Sequence, residues 1–276
     1  MSSILLQLSG QHEYRMGSKC MLVPEGVGFE ELSTLPQVSA PSGICLGNEL
    51  RAGRTLESGA EPLFKLINKI WLPTENCMCP CWIMEVVHSS LGRIMSGKDA
   101  FSMECALANN GWALAWITLS DKGAAGIRVD ESGPLVGTLI SERLNLSHQN
   151  GFLLPDSKHQ LQSLITRLAL DDGYDLVVTT GGTGVSPRDF TPDATIAVLE
   201  KRLEGLERAI TLTSLEKTPY GAVSRGLCGI LGDTLVINLP GSPRAVEECL
   251  QPVLPVLKHV LEKLHGDPAD CAVLRG

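Results

Sequence analysis

The pattern of apolar and polar positions changes near residue 110. Before that point glycine and proline recur at close intervals between short apolar pieces such as 21–23 and 44–46. This pattern predicts short strands in a small β-rich domain over residues 1–110. From residue 111 onward, continuous apolar runs alternate with segments in which apolar residues recur every three to four positions. The alternation predicts a three-layer α/β/α domain over residues 111–276 with a mostly parallel sheet.

The second domain is expected to contain strands and helices in alternation. Apolar runs predict strands at 111–119, 152–154, 174–178 and 233–239. Helical spacing predicts helices at 132–144, 160–170, 194–206 and 246–264. Pro252 and Pro255 are expected to bend the last helix, because proline disturbs the interior of a helix.

A glycine-rich loop follows the strand at 174–178. It contains the glycines and threonine Gly181, Gly182, Thr183 and Gly184, and Thr191 and Pro192 mark the start of the next helix. Glycines let the backbone adopt positive φ and approach a ligand closely, and exposed N–H groups in such a turn bind anions. The loop lacks the lysine of the GxxxxGK[ST] phosphate loop. The alternative is a turn that only joins a strand to a helix.

Acidic residues beside this loop indicate a metal site. Asp189 and Asp193 follow the glycines closely, and carboxylates next to bound phosphate are typical ligands of Mg²⁺. Two further polar loops, 120–121 and 240–244, follow predicted strands. In open α/β sheets such strand ends meet at one edge, so the three loops are expected to line one pocket.

Composition narrows the classes of partner. The net charge is 23 − 31 = −8, which gives no support to a nucleic-acid or anionic-membrane partner. No apolar stretch approaches the roughly 20 residues of a membrane span, and the first residues lack the pattern of a signal peptide. Nine cysteines without an export signal indicate reduced thiols and a cytoplasmic location.

The β-rich domain carries a cysteine cluster, Cys77, Cys79 and Cys81. Its CxCxC spacing has no second knuckle to complete a zinc site, so a metal role, a reactive thiol and an incidental role all stay open. Residues 23–97 resemble the C-terminal half of a MOSC domain, the β-barrel of molybdenum-cofactor sulfurases. The stretch before Cys20 is too short to supply the first half of such a domain.

Several ordered motifs in residues 112–271 resemble the MoaB/Mog family of molybdopterin adenylyltransferases. They are 117–121 (ITLSD), 154–156 (LPD), the GGTG…RDxTPDA run of 181–194, 224–225 (SR), 238–243 (NLPGSP) and 266–268 (GDP). The resemblance implies a homotrimer that uses ATP and Mg²⁺ to convert molybdopterin into adenylylated molybdopterin and pyrophosphate. It also implies contact with other proteins of molybdenum cofactor biosynthesis.

The resemblance also assigns roles to residues. It implies that Gly181, Gly182, Thr183 and Gly184 bind nucleotide phosphates, with Ser186 and Arg188 as further binding residues. Asp121, Asp156 and Asp193 are the implied catalytic residues, Asp189 and Asp193 the implied metal ligands, and Ser242 contacts nucleotide or pterin. The chain departs from the family at Arg208 and Thr211, where members often carry Glu and Arg. The alternative function is a protein of the same pathway that binds molybdopterin or a precursor without turnover.

Overall fold

The computed structural model describes residues 3–9, 14–25, 35–40, 49–74, 78–89, 91 and 100–268. Internal packing divides the chain into two compact units, Met1–Trp112 and Ala113–Gly276. We propose that these units correspond to two domains.

The N-terminal unit is a closed β-barrel, which confirms its predicted β-rich character. Its described strands are β1 (Ser3–Ser9), β2 (Lys19–Pro24), β3 (Gln37–Ala40), β4 (Thr55–Ser58), β5 (Glu61–Pro73), β6 (Met78–Val86) and β7 (Ala100–Ala108). They follow the order β1-β3-β2-β6-β5-β4-β7, and β7 pairs back with β1 to close the barrel. Leu6, Phe64, Trp82 and Met84 are fully buried in its core. Closure of the barrel removes the exposed strand edges that could otherwise pair with another chain.

The C-terminal unit is built on a mixed six-stranded sheet. Its strands are β8 (Trp112–Leu119), β9 (Leu146–Leu154), β10 (Leu176–Thr180), β11 (Lys201–Arg202), β12 (Cys228–Leu231) and β13 (Thr234–Leu239), in the order β11-β12-β13-β10-β8-β9. The central strand β10 is entirely buried and runs parallel to both β8 and β13. The carboxyl ends of β8, β10 and β13 therefore lie side by side.

Helices pack on this sheet and complete the predicted three-layer α/β/α domain. They are α1 (Asp121–Ala124), α2 (Ser132–Ser141), α3 (Lys158–Thr166), α4 (Thr191–Ile196), α5 (Glu204–Lys217), α6 (Pro243–Leu250) and α7 (Leu254–Leu264). A π-helical turn at Arg167–Asp171 extends α3, and a 3₁₀ turn spans Pro219–Val223. Val136 and Ile140 of α2, Leu161 and Ile165 of α3, and Leu257 and Leu261 of α7 are buried.

The predicted helix at 194–206 is wrong. The helix begins earlier, at Thr191, and ends at Ile196. Residues 201–202 instead form β11, which pairs antiparallel with β12, and a new helix begins at Glu204. The apolar pattern does not predict β12, and pairing with that strand is what holds residues 201–202 in an extended conformation.

The predicted helix at 246–264 is two helices, α6 and α7. Pro252 follows the end of α6 and has no backbone N–H to continue its hydrogen bonds, and Pro255 lies in the first turn of α7, where proline is favoured, so the chain breaks instead of bending. The strand predicted at 152–154 is longer and begins at Leu146.

Candidate functional site

A cavity of about 510 Å³ opens at the carboxyl ends of β8, β10 and β13. Residues from the loops after β8, β9, β10 and β13 line it, as expected for an open α/β sheet. Seven of the predicted site residues are among the lining: Asp121, Asp156, Gly181, Gly182, Arg188, Asp189 and Ser242.

The first two glycines of the loop are required by local geometry. Gly181 has φ +98°, and a Cβ atom there would lie 2.6 Å from the carbonyl oxygen of Leu119. Gly182 has φ +62°, and its Cβ would lie 2.5 Å from Oγ1 of Thr191. A Cβ on Gly241 would lie 3.2 Å from the Cα of Gly181, so the turns after β10 and β13 touch. Side chains would therefore push these backbones apart.

Thr191 fastens the glycine turn from behind. Its buried hydroxyl donates to the carbonyl of Gly181 at 2.8 Å, and its backbone N–H donates to the carbonyl of Gly182 at 3.0 Å. With both carbonyls bound on this side, the turn has a fixed shape before any ligand arrives. Sequence reasoning used Thr191 only as a helix-start marker and missed this role.

Two carboxylates and one guanidinium form the polar end of the pocket. The backbone N–H of Asp156 donates to Oδ1 of Asp121 at 2.8 Å. Nη2 of Arg188 donates to Oδ2 of Asp156 at 3.0 Å and to Oδ2 of Asp121. Residues from three loops, which sequence reasoning proposed separately, are thus in direct contact.

Asp189 lies close to this end of the pocket. Its Oδ2 accepts a hydrogen bond from the N–H of Ser186 at 2.8 Å. Burial raises the pKa of the Asp156 carboxyl, and the negative charge of Asp189 raises that pKa further. The hydroxyl of Ser186 accepts from the N–H of Arg188 at 3.3 Å, so Ser186 shapes the loop and does not line the pocket.

The carboxylate of Asp193 faces Arg225, and its predicted catalytic and metal roles stay predictions. Nη1 of Arg225 lies 3.0 Å from Oδ2 of Asp193. The same side chain donates from Nε to the carbonyl of Gly184 at 2.8 Å, and the backbone N–H of Arg225 donates to the carbonyl of Thr183 at 2.8 Å. None of these four residues lines the described cavity. Thr183, Gly184 and Asp193 therefore act as the supporting side of the loop.

The turn after β13 is tied to the start of α2. The hydroxyl of Ser132 donates to the carbonyl of Gly241 at 2.9 Å. Asp130 accepts from the hydroxyl of Thr118 at 2.6 Å and from the N–H groups of Ser132 and Gly133 at 3.1 and 3.0 Å. Sequence reasoning missed Asp130. An Asp two residues before Ser-Gly-Pro at a helix start was the available signal.

Ser242 has a capping role that the sequence prediction did not include. Its hydroxyl accepts from the N–H of Ala245 at 3.3 Å, so it caps α6 while lining the pocket. A substitution there would disturb the helix start as well as any ligand contact.

The donor set suits a hard cation such as Mg²⁺. Asp156 and Asp189 offer carboxylate oxygens close enough for one charge to shift the pKa of the other. Mg²⁺ is usually held by one or two carboxylates together with substrate phosphates. Within the described ranges, no group of three or more His, Cys, Asp or Glu side chains could hold a metal by itself. Asp156 and Asp189 both line the cavity, whereas Asp193 does not, and the metal site stays a prediction.

The cysteine cluster of the barrel is only partly described. Cys77 lies outside the described residues, Cys79 is half-buried, and Cys81 is buried. Cys20 lies in another core cluster of the barrel, where burial raises the pKa of its thiol to about 12 and disfavours the reactive thiolate form. The metal and thiol hypotheses for the cluster stay predictions.

Helices in the described part of the chain are all too short or too polar to cross a membrane.

Comparison with known proteins addresses the C-terminal unit. A family model described as "Probable molybdopterin binding domain" matches residues 115–259. The chain is 41% identical over 151 residues to the molybdenum cofactor synthesis protein cinnamon of Drosophila melanogaster, covering 55% of this chain and 25% of that protein. It is 34% identical over 152 residues to a molybdopterin adenylyltransferase of Helicobacter pylori, covering 55% of this chain and 86% of the relative.

A solved structure of a molybdopterin biosynthesis protein is also similar to this chain. The molybdopterin biosynthesis enzyme MoaB from Thermus thermophilus superposes with a TM-score of 0.52 at 37% identity, covering 58% of this chain and 99% of that one. The chain spans only about a quarter of the length of cinnamon. The family model begins after the barrel, so the MOSC resemblance stays a prediction. The fold, the pocket and these matches together show that the chain belongs to the molybdopterin-binding domain family that includes the MoaB and Mog proteins.

Proposed function

We propose that the C-terminal unit is a molybdopterin adenylyltransferase, which transfers AMP from ATP to molybdopterin. The observation that carries this proposal is the pocket itself. It joins the fixed glycine turn of Gly181 and Gly182 to the carboxylates of Asp121, Asp156 and Asp189. The Helicobacter pylori relative bearing this name aligns over most of its length, which supports the same reaction.

The reaction needs positioning more than proton transfer. An oxygen of the terminal phosphate of molybdopterin forms a bond to the α-phosphorus of ATP. The bond from that phosphorus to the bridging oxygen of the β-phosphate breaks, and pyrophosphate leaves with the electron pair. No proton has to move between the reactants, so catalysis depends on alignment and on neutralising phosphate charge.

The residues present fit those tasks. The backbone N–H of Gly182 binds a phosphate oxygen, since that of Gly181 already donates to the carbonyl of Leu239 at 3.1 Å, and Thr191 keeps the turn in shape. Asp156 and Asp189 would hold Mg²⁺, which when bound would supply positive charge to the reacting phosphates. The carboxylate of Asp121 orients the loop of Asp156 by accepting a hydrogen bond from the backbone N–H of Asp156. Arg188 lines the pocket and pairs with the carboxylates of Asp121 and Asp156, so it holds the carboxylate end in place.

The supporting residues act through the loop. Thr183 and Gly184 present their carbonyls to Arg225, and Ser186 holds the carboxylate of Asp189. Ser242 holds the turn that contacts nucleotide or pterin. These contacts set the positions of the binding groups.

The assembly and location form part of the proposal. Leu212 of α5 is 63% exposed in the single chain, and α5 contains no buried residue. This exposed helix supports a subunit contact and hence the proposed homotrimer. We also propose a cytoplasmic location and contact with other proteins of molybdenum cofactor biosynthesis.

A turnover assay tests the function. The full chain is incubated with molybdopterin, ATP and MgCl₂, and adenylylated molybdopterin and pyrophosphate are measured. We expect turnover in the wild type and a loss of about 100-fold or more in Asp156→Asn, since electrostatic groups of this kind contribute about 10²–10³ in kcat. The matched control is Asp233→Asn, an exposed aspartate outside the pocket.

The outcome also separates the two functions. Molybdopterin binding by the wild type without release of pyrophosphate would contradict the enzyme and favour a binding protein of the same pathway. Equal turnover by Asp156→Asn and the wild type would remove Asp156 from the catalytic site.

A further inference from the structure

The pocket holds more negative than positive side chains. Five acidic residues line it, namely Asp121, Asp130, Glu131, Asp156 and Asp189, against the three bases Lys122, Arg128 and Arg188. Such a lining repels phosphates unless cations face them. The positions of the three bases therefore decide where phosphate groups can bind.

One of the three bases is already engaged. Arg188 forms ion pairs with Asp121 and Asp156. In contrast, no ion pair or side-chain hydrogen bond joins Lys122 or Arg128 to another residue of the described chain. Both side chains are exposed to the cavity and available to a ligand.

Backbone hydrogen bonds hold these two bases on one wall. The N–H groups of Ile127 and Arg128 both donate to the carbonyl of Lys122, at 2.8 and 3.2 Å. Gly126 turns the chain with φ +71°, and a Cβ there would meet open space. The loop after β8 thus closes on itself through backbone hydrogen bonds and presents Lys122 and Arg128 on the same wall of the cavity.

We propose that Lys122 and Arg128 bind the β- and γ-phosphates of the nucleotide, the part that leaves as pyrophosphate. This inference rests on the proposed function. The carboxylate end of the pocket suits the cation and the reacting α-phosphate. The leaving group carries the largest negative charge of the reaction, and the two cations without partners in the described chain are the groups that neutralise it. Arg128 adds a planar set of donors suited to phosphate oxygens, and Lys122 adds a point charge.

A phosphate ligand has two sources in this reaction, the nucleotide and the pterin. Binding assays with separate probes distinguish them. Isothermal titration of the full chain in MgCl₂ with pyrophosphate, ATP and AMP reports on the nucleotide, and titration with molybdopterin reports on the pterin. The variants are Lys122→Ala, Arg128→Ala and the conservative Arg128→Lys. The control is Arg143→Ala, an exposed arginine that does not line the cavity.

We expect each alanine variant to weaken binding of pyrophosphate and of ATP about tenfold, because a hydrogen bond to a charged group contributes about 1.5 kcal/mol or more. AMP and molybdopterin should bind as they do to the wild type, and Arg128→Lys should recover part of the pyrophosphate affinity. The variants should also raise KM for ATP and the inhibition constant of pyrophosphate more than they lower kcat.

Two results would overturn the inference. One is pyrophosphate affinity unchanged within twofold in both alanine variants. The other is a loss confined to molybdopterin. Because titration needs no turnover, the tests stay separate. If the chain lacks transferase activity but binds pyrophosphate in a way that depends on Arg128, only the proposed function is contradicted.

Discussion

The backbone N–H of Asp156 donates a hydrogen bond to the carboxylate of Asp121 at 2.8 Å, so the loops after β8 and β9 meet at the pocket. Arg188 bridges the same two carboxylates from the glycine-loop side. Three loops that are 30 or more residues apart in sequence are thus joined through Asp121. Asp121 therefore joins the three loops structurally, in addition to placing a negative charge in the pocket.

Substitution of Asp121 should separate those two tasks. Asp121→Asn keeps a side-chain oxygen that can accept a hydrogen bond from the N–H of Asp156. Asp121→Ala removes that acceptor. We expect both variants to lose at least tenfold in turnover. Only the alanine variant should also lose about 1 kcal/mol in free energy of unfolding, the usual contribution of one hydrogen bond. Thermal unfolding and the transferase assay measure both, and equal stability of the two variants would contradict the joining role.

Gly181→Ala should destabilise the protein strongly. Its φ of +98° is unfavourable for alanine, and the new Cβ would lie 2.6 Å from the backbone oxygen of Leu119. The control is Gly266→Ala, which has φ +82° and no atom within 4 Å of the added Cβ. Left-handed backbone alone costs about 1–2 kcal/mol. We expect the Gly181 variant to lose more free energy of unfolding than the Gly266 variant, and a similar loss in both would mean that the close contact is harmless.

The pattern of the sequence predicted the centre of the C-terminal sheet correctly. The strands at 111–119, 174–178 and 233–239 are continuous apolar runs because β8, β10 and β13 are buried on both faces. Their carboxyl ends then follow from parallel pairing, which is why the polar loops after them could be expected to meet. The place of the pocket at these strand ends follows from this pattern, whereas lining residues such as Asp130 do not.

Other features depended on contacts that leave little trace in sequence. β11 has two residues, both exposed, and exists because β12 pairs with it. The carboxylate of Asp193 turns toward Arg225, which lies 32 residues further on. No local pattern indicates which cation a carboxylate will meet, so the position of Asp193 beside the loop does not predict its contact with Arg225.

The ionisation of Asp156 should depend on Asp189. Burial and the charge of Asp189 raise the pKa of Asp156 above its ordinary value of 3.8. The folded state therefore holds a proton on Asp156 at a pH where the unfolded state has released it. This contribution to stability is present in acid and is lost as the pH rises from 3.8 through the folded-state pKa.

We expect Asp189→Asn to lower the pKa of Asp156, because it removes one of the two causes. NMR titration of the side-chain carboxyl in the chain without added metal measures this directly. Ser186→Ala is a suitable control, since it leaves the Asp189 carboxylate and the backbone N–H of residue 186 in place. A pKa of Asp156 that is identical with and without the Asp189 charge would contradict the proximity of the two groups at the proposed metal site.

Substitutions of Arg225 and Asp193 should affect the enzyme differently, because Arg225 holds the glycine loop in position and Asp193 contributes only an exposed ion pair. Arg225 donates to the carbonyls of Gly184 and Asp189 and pairs with Asp193. Arg225→Ala should remove the hydrogen bonds that hold the glycine loop in position and thereby raise KM for MgATP at least tenfold. Asp193→Asn removes only an ion pair whose acid is 51% exposed, and exposed pairs contribute about 0–1 kcal/mol. Its turnover should therefore stay within about threefold of the wild type, a change of less than 1 kcal/mol.

The same pair of variants tests where the metal binds. If Asp156 and Asp189 hold the cation, Asp193→Asn should bind Mn²⁺ as tightly as the wild type in a titration followed by electron paramagnetic resonance, whereas Asp156→Asn should bind it weakly. Arg225→Lys, which keeps the charge but offers fewer donors, should lie between the wild type and Arg225→Ala in KM. Loss of Mn²⁺ binding in Asp193→Asn equal to that in Asp156→Asn would restore Asp193 as a metal ligand and show that Arg225 releases it when the cation binds.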